Sequence, residues 1–173
     1  AFRKGLTSYF KAFAYQNTEA NDLWTHLSTA SKQDISHFMN TWIGQSGYPV
    51  LHVRPDGLAQ EQFFVGPHEP STKLWPIPLG AESTEDIPAL LETRELALPI
   101  ADDERFNVHN SGHFLTHYTP SHMGRILTRL ESLDEMGRLQ LVDEQTLLTR
   151  GGITPASETI SLLQAYQSET SQH

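Results

Sequence analysis

Four histidines lie within fourteen residues, in the stretch HNSGHFLTHYTPSH at positions 109–122. Imidazole nitrogens are common zinc ligands, and two histidines four residues apart on a helix can bind one metal ion. His113 and His117 have this spacing, with His109 and His122 on either side. If the stretch were helical, it would supply half of the zinc centre of a hydrolase.

The pattern of this stretch favours a β-strand over a helix. Gly112 and Pro120 oppose a helix, and the residues between them alternate as in a strand. In a strand, Cα atoms four residues apart are separated by about 13 Å, too far for one zinc with bonds near 2.1 Å. A cross-strand partner could still complete a site from one histidine. We therefore predict no metal site here, but half-exposed sheet histidines.

Other arrangements with chemical potential are weak. His68 and Glu69 lie in a proline-flanked loop, and neither a GxSxG serine motif nor a glycine-rich phosphate loop occurs in the sequence. We interpret the acidic runs at 102–104 and 143–144 as solvated surface. The sequence therefore predicts no catalytic, cofactor-binding or metal-binding residue.

Composition indicates a soluble globular chain. Of 173 residues, 38% are hydrophobic and 19% are charged, which excludes wholesale disorder. A formal charge of −9 without any Lys/Arg cluster argues against nucleic acid as a partner. No apolar window is long enough to span a membrane. The absence of cysteine excludes disulfides and thiolate sites, and it fits the reducing cytoplasm that we predict as the location.

Hydrophobic periodicity divides the chain into three zones. Residues 2–44 have helical stripes such as Leu6, Phe10 and Phe13, whose aromatic side chains we expect to pack in a core. Residues 48–119 change to short alternations rich in proline and glycine. Residues 120–170 return to helical periodicity, and Thr154-Pro155 is predicted to begin the last helix.

The middle zone predicts six or seven short strands. Pro55-Asp56-Gly57 separates two alternating segments and predicts a hairpin. Trp75, Ile77 and Leu79 share one face of another strand, whose prolines restrict it to an edge or a bulge. The predicted fold class is α+β, with a helical segment, a small antiparallel β-sandwich and then helices.

The order of motifs resembles the zinc aminopeptidases typified by aminopeptidase N. In the β zone, the resemblance rests on Trp75 to Leu79, matching W-x-I-P-L, and on Asn107-Val108, Ser111-Gly112 and Tyr118, matching N-V-x-x-S-G-x-x-x-x-x-Y. In the helical zones it rests on Gly5-Leu6, Tyr9-Phe10, Tyr15, Asn17-Thr18, Asp22-Leu23-Trp24, Met39, Trp42, Gln45 and Gly47 to Val50, and more loosely on Arg138, Leu141 and Glu144. Ser46 stands where the family commonly has proline.

The resemblance implies a division into the last helices of the catalytic domain at 1–47, a β-sandwich linker domain at 48–119 and the first helices of the C-terminal helical domain at 120–173. It implies a parent enzyme that uses zinc to remove N-terminal amino acids from peptides. The family's HExxH zinc motif and GxMEN motif occur nowhere in this sequence. The chain would then be an inactive, metal-free bridge whose partners are the other domains of the same protein.

Two alternatives remain open from the residues themselves. One is a free-standing β-sandwich module that binds peptides or glycans. The other is a small metalloprotein that uses the histidines at positions 109, 113, 117 and 122. The aminopeptidase hypothesis differs from both because it expects apolar helical surface to be exposed where other domains would pack.

Overall fold

The computed structural model describes residues 1–83 and 86–170 and places them in two units, Ala1–Ser46 and Gly47–His173. The first unit consists of three helices, as the periodicity predicts. They are α1 (Phe2–Ala12), α2 (Ala20–Ser31) and α3 (Ile35–Gly44). The side chain of Asp34 accepts a hydrogen bond from the backbone N–H of His37 and so begins α3. Helix α2 begins after a capping box formed by Glu19 and Asp22.

The predicted aromatic core of the first unit is largely absent. Gly5 and Leu27 are the buried residues of the three helices, whereas the side chain of Phe10 is 65% exposed. Phe2 and Ile43 are exposed to a similar extent. The expectation that the helical aromatic residues pack in a core was therefore wrong for Phe10, because three short helices enclose too little volume.

The second unit contains two small sheets and a set of helices. Its described strands are β1 (Pro49–Arg54), β2 (Gly57–Gln62), β3 (Ile77–Pro78), β4 (Leu90–Leu91), β5 (Glu95–Ala97) and β6 (Leu115–Tyr118). One sheet has the order β5-β2-β1-β6, and the other pairs β3 with β4. The α+β class is confirmed. The hairpin prediction is also confirmed, since β1 and β2 are antiparallel and pair up to Arg54 and Gly57.

The four-stranded sheet is mixed rather than antiparallel throughout. Strands β1 and β6 run parallel, with Val50 opposite Leu115 and Val53 opposite Tyr118. About sixty residues separate the two strands, and a connection of that length permits either direction. The predicted strand at 106–118 is also shorter than expected. Asn107 and Asn110 have positive φ angles of 54° and 48°, which interrupt extended backbone before residue 115.

Gly57 lies at the start of β2, opposite Ala97 of the neighbouring strand β5. A Cβ atom at this position would overlap the carbonyl oxygen of Leu96 and lie 3.2 Å from the Cα atom of Ala97. Both contacts are with backbone of the paired strand, which cannot move without breaking the ladder. We expect Gly57→Ala to lower the free energy of unfolding by roughly 2–3 kcal/mol. Urea denaturation should show this loss, whereas Gly66→Ala, with no atom near the added Cβ, tests the positive φ of 90° alone.

The remaining helices continue from the sheet. They are α4 (Pro120–Leu127), a short 3₁₀ helix (Leu130–Ser132), α5 (Glu135–Arg150) and α6 (Ala156–Ala165). Helix α6 begins one residue after Pro155, and the hydroxyl of Thr154 lies within hydrogen-bonding distance of Gln145 and Thr149 instead of capping α6. Among the described residues, no helix has the length and apolar character needed to cross a membrane.

Helix α5 packs on the four-stranded sheet and joins it to the C-terminal helices. The shared core contains Val50, Phe63, Leu115 and Leu148, all buried. On β2, the side-chain amide of Gln60 bonds both the backbone N–H and the carbonyl of Trp75 at 2.9 Å. The predicted boundary at residue 119 stays a prediction, since the sheet and the helices after it lie in one unit.

Candidate functional site

A pair of histidines lies on adjacent strands of the mixed sheet. His52 on β1 is directly opposite His117 on β6, and their Nδ1 atoms are 2.8 Å apart. The Nε2 atom of His52 is 2.9 Å from a carboxylate oxygen of Glu61 on β2. When both rings are neutral, His52 Nε2–H donates to Glu61, and His117 Nδ1–H donates to His52 Nδ1. The three side chains form one hydrogen-bonded row across the sheet.

Burial favours the neutral form of His117 in this row. It lowers the pKa of His117 to about 4, with smaller contributions from His52 and Arg54 against the opposing charge of Glu61. His117 therefore binds fewer protons in the folded chain than in the unfolded chain between about pH 6.5 and pH 4. The pair can pass a proton between strands, but no other described side chain converges on it.

The other three histidines of the cluster lie in separate surroundings. His109 is exposed in a turn, and the ring of His113 packs 4.8 Å from that of Tyr48. His122 is buried on α4, where its Nε2–H donates to the carbonyl oxygen of Glu104 at 2.8 Å. His113 thus contacts Tyr48, whereas the histidine beside His117 is His52 of β1. In the described part of the chain, no three His, Asp or Glu side chains are grouped to hold a metal ion.

We expect His117→Gln to become more stable, relative to the unmodified chain, as the pH falls from 7 to 5. Because folding lowers the pKa of His117 to about 4, its contribution is present above about pH 6.5 and is lost as the pH falls toward 4. The difference in free energy of unfolding between the variant and the unmodified chain, measured by urea denaturation, should therefore shift in favour of the variant from pH 7 to pH 5. His109→Gln removes an exposed histidine from the same segment and should show no such shift.

A loop before β6 is held closed by a buried asparagine. Asn107 is 1% exposed, and its side chain donates to the carbonyl of Gly112 at 3.0 Å and accepts from the N–H of Gly112 at 2.8 Å. Its own backbone N–H donates to the carbonyl of Leu79. A Cβ atom on Gly112 would lie 2.5 Å from the ring of Phe114 and 3.2 Å from the Asn107 side-chain oxygen. The Asn107 and Gly112 positions of the sequence motif thus form one closed turn.

Tyr118, the tyrosine of the motif, forms a hydrogen bond with the start of the same loop. Tyr118 on β6 is buried, and its hydroxyl oxygen accepts a hydrogen bond from the backbone N–H of Phe106 at 2.9 Å. Burial raises the pKa of the Tyr118 hydroxyl, so it stays protonated. The first and last residues of the N-V-x-x-S-G-x-x-x-x-x-Y pattern, Asn107 and Tyr118, are therefore buried residues that hold this loop.

One member of each acidic run is buried, so the interpretation of these runs as solvated surface was wrong for Glu104 and Glu144. A carboxylate oxygen of Glu104 accepts from the backbone N–H of Ser83 at 2.8 Å. Glu144 accepts from the backbone N–H of Thr116 at 3.1 Å and from the side-chain amide of Gln140 at 2.8 Å. Glu144 comes three residues after Leu141 and four before Leu148, so helical periodicity could have placed it on the buried face.

Glu144 is a buried carboxylate between helix α5 and strand β6. It is 6% exposed, and burial raises its pKa to about 7, against the opposing hydrogen bonds from Gln140 and Thr116. Beside it is a cavity of about 170 Å³ whose lining includes Tyr48, His113, Gln140 and Leu147. In this cavity, as in the histidine row, polar side chains of different elements converge.

The chain is similar to known peptidases along its length. Residues 1–42 match the model of the peptidase family M1 domain. Aminopeptidase N of Lactococcus lactis subsp. lactis is 37% identical over 99% of this chain, and aminopeptidase N of Lactobacillus helveticus is 36% identical over 94%. Tricorn protease-interacting factor F2 of Thermoplasma volcanium is 29% identical over 95%. The chain spans about a fifth of the length of each relative, 21% in all three cases.

Proposed function

Because the chain belongs to peptidase family M1, the family of aminopeptidase N, we propose that it is a non-catalytic segment of a zinc-dependent aminopeptidase. The parent enzyme would act in the cytoplasm and remove N-terminal amino acids from peptides. The segment would bridge the end of the catalytic domain and the C-terminal helical domain. Its partners would be those domains of the same protein.

The observation that carries this proposal is the position of the two kinds of match. The peptidase domain model covers residues 1–42, which lie within the helical unit Ala1–Ser46. The aminopeptidase N relatives instead match 94–99% of the chain and so continue through the sheet and the C-terminal helices. A segment that joins the peptidase domain to the next domains of the enzyme has this pattern.

Exposed apolar side chains support the same proposal. Phe2 and Phe10 on α1 and Ile160 and Leu163 on α6 are each at least half exposed, although large apolar side chains are usually buried. They lie at opposite ends of the sequence, on helices whose own unit leaves them uncovered. Such surfaces are expected where neighbouring domains of a larger enzyme pack.

The residues of this chain do not fit a zinc site. The sequence has no HExxH motif, and no described group of three His, Asp or Glu side chains is arranged for a metal. The metal, which would activate water for attack on the peptide carbonyl, therefore belongs to the rest of the enzyme in this proposal. No catalytic step is assigned to any residue here.

The proposal is tested by comparing the 173-residue chain with the product of its complete reading frame. We expect the complete protein to hydrolyse leucine p-nitroanilide in a zinc-dependent manner and the chain alone to release no p-nitroaniline. Zinc-dependent hydrolysis by the chain alone would overturn the non-catalytic assignment. A complete protein that lacks aminopeptidase activity would overturn the proposed parent.

The bridging role is tested by loosening the joint between α5 and the sheet in the complete protein. Leu148 is 1% exposed in that joint, and truncating a buried leucine to alanine costs about 2–5 kcal/mol. We expect Leu148→Ala to lower kcat/KM while zinc content stays at the unmodified level. Gln164→Ala, an exposed position on α6, is the matched control. Full activity in Leu148→Ala would contradict the bridge.

A further inference from the structure

The cavity beside Glu144 is lined by a residue with one polar atom that the protein leaves unsatisfied. Gln140 is 4% exposed, and its side-chain oxygen is buried without a hydrogen-bond partner, while its amide nitrogen donates to Glu144. A buried acceptor without a donor costs about 1–3 kcal/mol, so this oxygen favours an occupant that donates a hydrogen bond.

The negative charges around the cavity favour a positively charged occupant. Glu144 and Asp143 both line it, and Glu144 is buried, with uncharged hydrogen-bond donors from Gln140 and Thr116. The positive charge of Arg105 lowers the pKa of Glu144, but this effect is the smallest of those that act on the carboxyl. A cation in the cavity would supply the missing countercharge.

The walls of the cavity favour an organic cation over a metal ion. Tyr48 and Phe114 line it together with the aliphatic Leu147, and the ring of His113 packs against that of Tyr48. Aromatic faces attract ammonium and guanidinium groups, and apolar walls receive their carbon chains. A metal would require more ligands than the described carboxylates provide. A cavity of about 150 Å³ can hold benzene, so about 170 Å³ admits a charged group with a short carbon chain.

We propose that this cavity binds a small organic cation, a primary ammonium or guanidinium group on a short aliphatic chain. The carboxylate of Glu144 is its countercharge, and the side-chain oxygen of Gln140 accepts a second hydrogen bond from it. The Tyr48 ring covers the carbon chain. This site is independent of the proposed aminopeptidase activity and uses none of its catalytic groups.

Protonation of Glu144 competes with the cation for the same oxygens. Because burial raises the pKa of Glu144 to about 7, the carboxyl is mostly neutral at pH 5 and mostly ionised at pH 8. His113, Asp143 and Tyr48 also face the cavity, and Arg105 acts on Glu144 from outside it. A ligand that needs the ionised form has an apparent Kd that increases in inverse proportion to the ionised fraction. Binding should therefore weaken at least tenfold from pH 8 to pH 5.

The experiment uses the 173-residue chain and two probes of equal size, butylammonium and 1-butanol, followed by ¹H–¹⁵N NMR titration. We expect saturable shifts of the Thr116 amide with butylammonium at pH 8, at least tenfold weaker binding at pH 5, and no saturable binding of butanol. Nα-acetyl-lysine methylamide, in a third arm, determines whether the ammonium group can come from a peptide side chain as well as from a free amine. Failure of both amines to bind would overturn the proposal.

Two variants locate the binding. Glu144→Gln should abolish amine binding, and its fold is checked by the same spectra. Asp102→Asn removes one negative charge from an exposed loop and should leave the apparent Kd within a factor of two. Equal binding of butylammonium and butanol, or undiminished binding to Glu144→Gln, would show that no cation site exists here. These outcomes do not depend on whether the parent enzyme is an aminopeptidase.

Discussion

Replacing Glu144 with glutamine should raise the free energy of unfolding at pH 8 by roughly 2–3 kcal/mol and leave it nearly unchanged at pH 4. Most substitutions of buried hydrogen-bonded groups destabilise. The opposite is expected here because folding removes a carboxylate from water without giving it a cation. At pH 8 the unmodified chain must hold that charge in its interior.

The sign of this change in the free energy of unfolding follows from the direction in which folding shifts the pKa of Glu144. The pKa of Glu144 increases from an ordinary 4.5 to about 7 on folding, so the folded chain holds a proton that the unfolded chain releases. The contribution of Glu144 to stability is complete below pH 4.5 and is lost as the pH rises to 7. Glutamine cannot ionise, so the variant lacks this loss.

Glutamine also fits the hydrogen bonds of the site. Its side-chain oxygen can accept from the N–H of Thr116, as the carboxylate does. Its amide then faces Gln140, whose own amide can turn so that its unpartnered oxygen becomes the acceptor. The variant therefore makes the same two hydrogen bonds, to Thr116 and to Gln140, as the protonated form of Glu144.

Urea denaturation followed by circular dichroism at pH 4, 6 and 8 measures the effect. Asp143→Asn removes the adjacent carboxylate and should change the free energy of unfolding by less than about 0.5 kcal/mol at each pH. A Glu144→Gln variant that is less stable than the unmodified chain at pH 8 would show that the carboxylate is stabilising. The account of the joint between α5 and β6 would then be wrong.

Asn107→Ala should lower the free energy of unfolding by about 3–4 kcal/mol. The substitution removes both hydrogen bonds to Gly112, and it leaves the N–H and the carbonyl of that residue without their partner. Alanine also adopts the positive φ angle of 54° less readily than asparagine does. The loop would lose the side chain that closes it and the backbone conformation that starts it.

Asn107→Gly separates these two causes. Glycine lacks the side-chain bonds but tolerates the positive φ, so this variant should be about 1 kcal/mol more stable than Asn107→Ala and still less stable than the unmodified chain. Thermal and urea denaturation of the three proteins give the comparison. If Asn107→Gly matched the unmodified chain, the hydrogen bonds to Gly112 would contribute nothing, and the motif would need another explanation.

Local features of the fold could be predicted from the sequence because local chemistry determines them. The Pro55-Asp56-Gly57 turn predicts its hairpin, and alternation places Trp75, Ile77 and Leu79 together in the core, where all three are buried. Asn107 and Gly112 were recognised through the family resemblance. Their role as the two ends of one closed turn emerges only when the distances between them are known.

Features that depend on contacts distant in sequence could not be predicted in the same way. Nothing in the residues around position 117 determines that β6 pairs with β1, or that the pairing is parallel and brings His52 beside His117. The burial of Glu144 depends equally on strand β6 lying against its helix. An acidic pair in sequence resembles solvated surface until the partner of each carboxylate is known.

The metal content of the purified 173-residue chain tests the central claim most directly. After dialysis against a weak chelator, inductively coupled plasma mass spectrometry should find less than about one zinc per ten chains. That result is expected of a segment whose parent enzyme binds its metal through other residues. One zinc per chain would contradict the account and would make the histidines at 109–122 and His52 the first candidates for an autonomous metal centre.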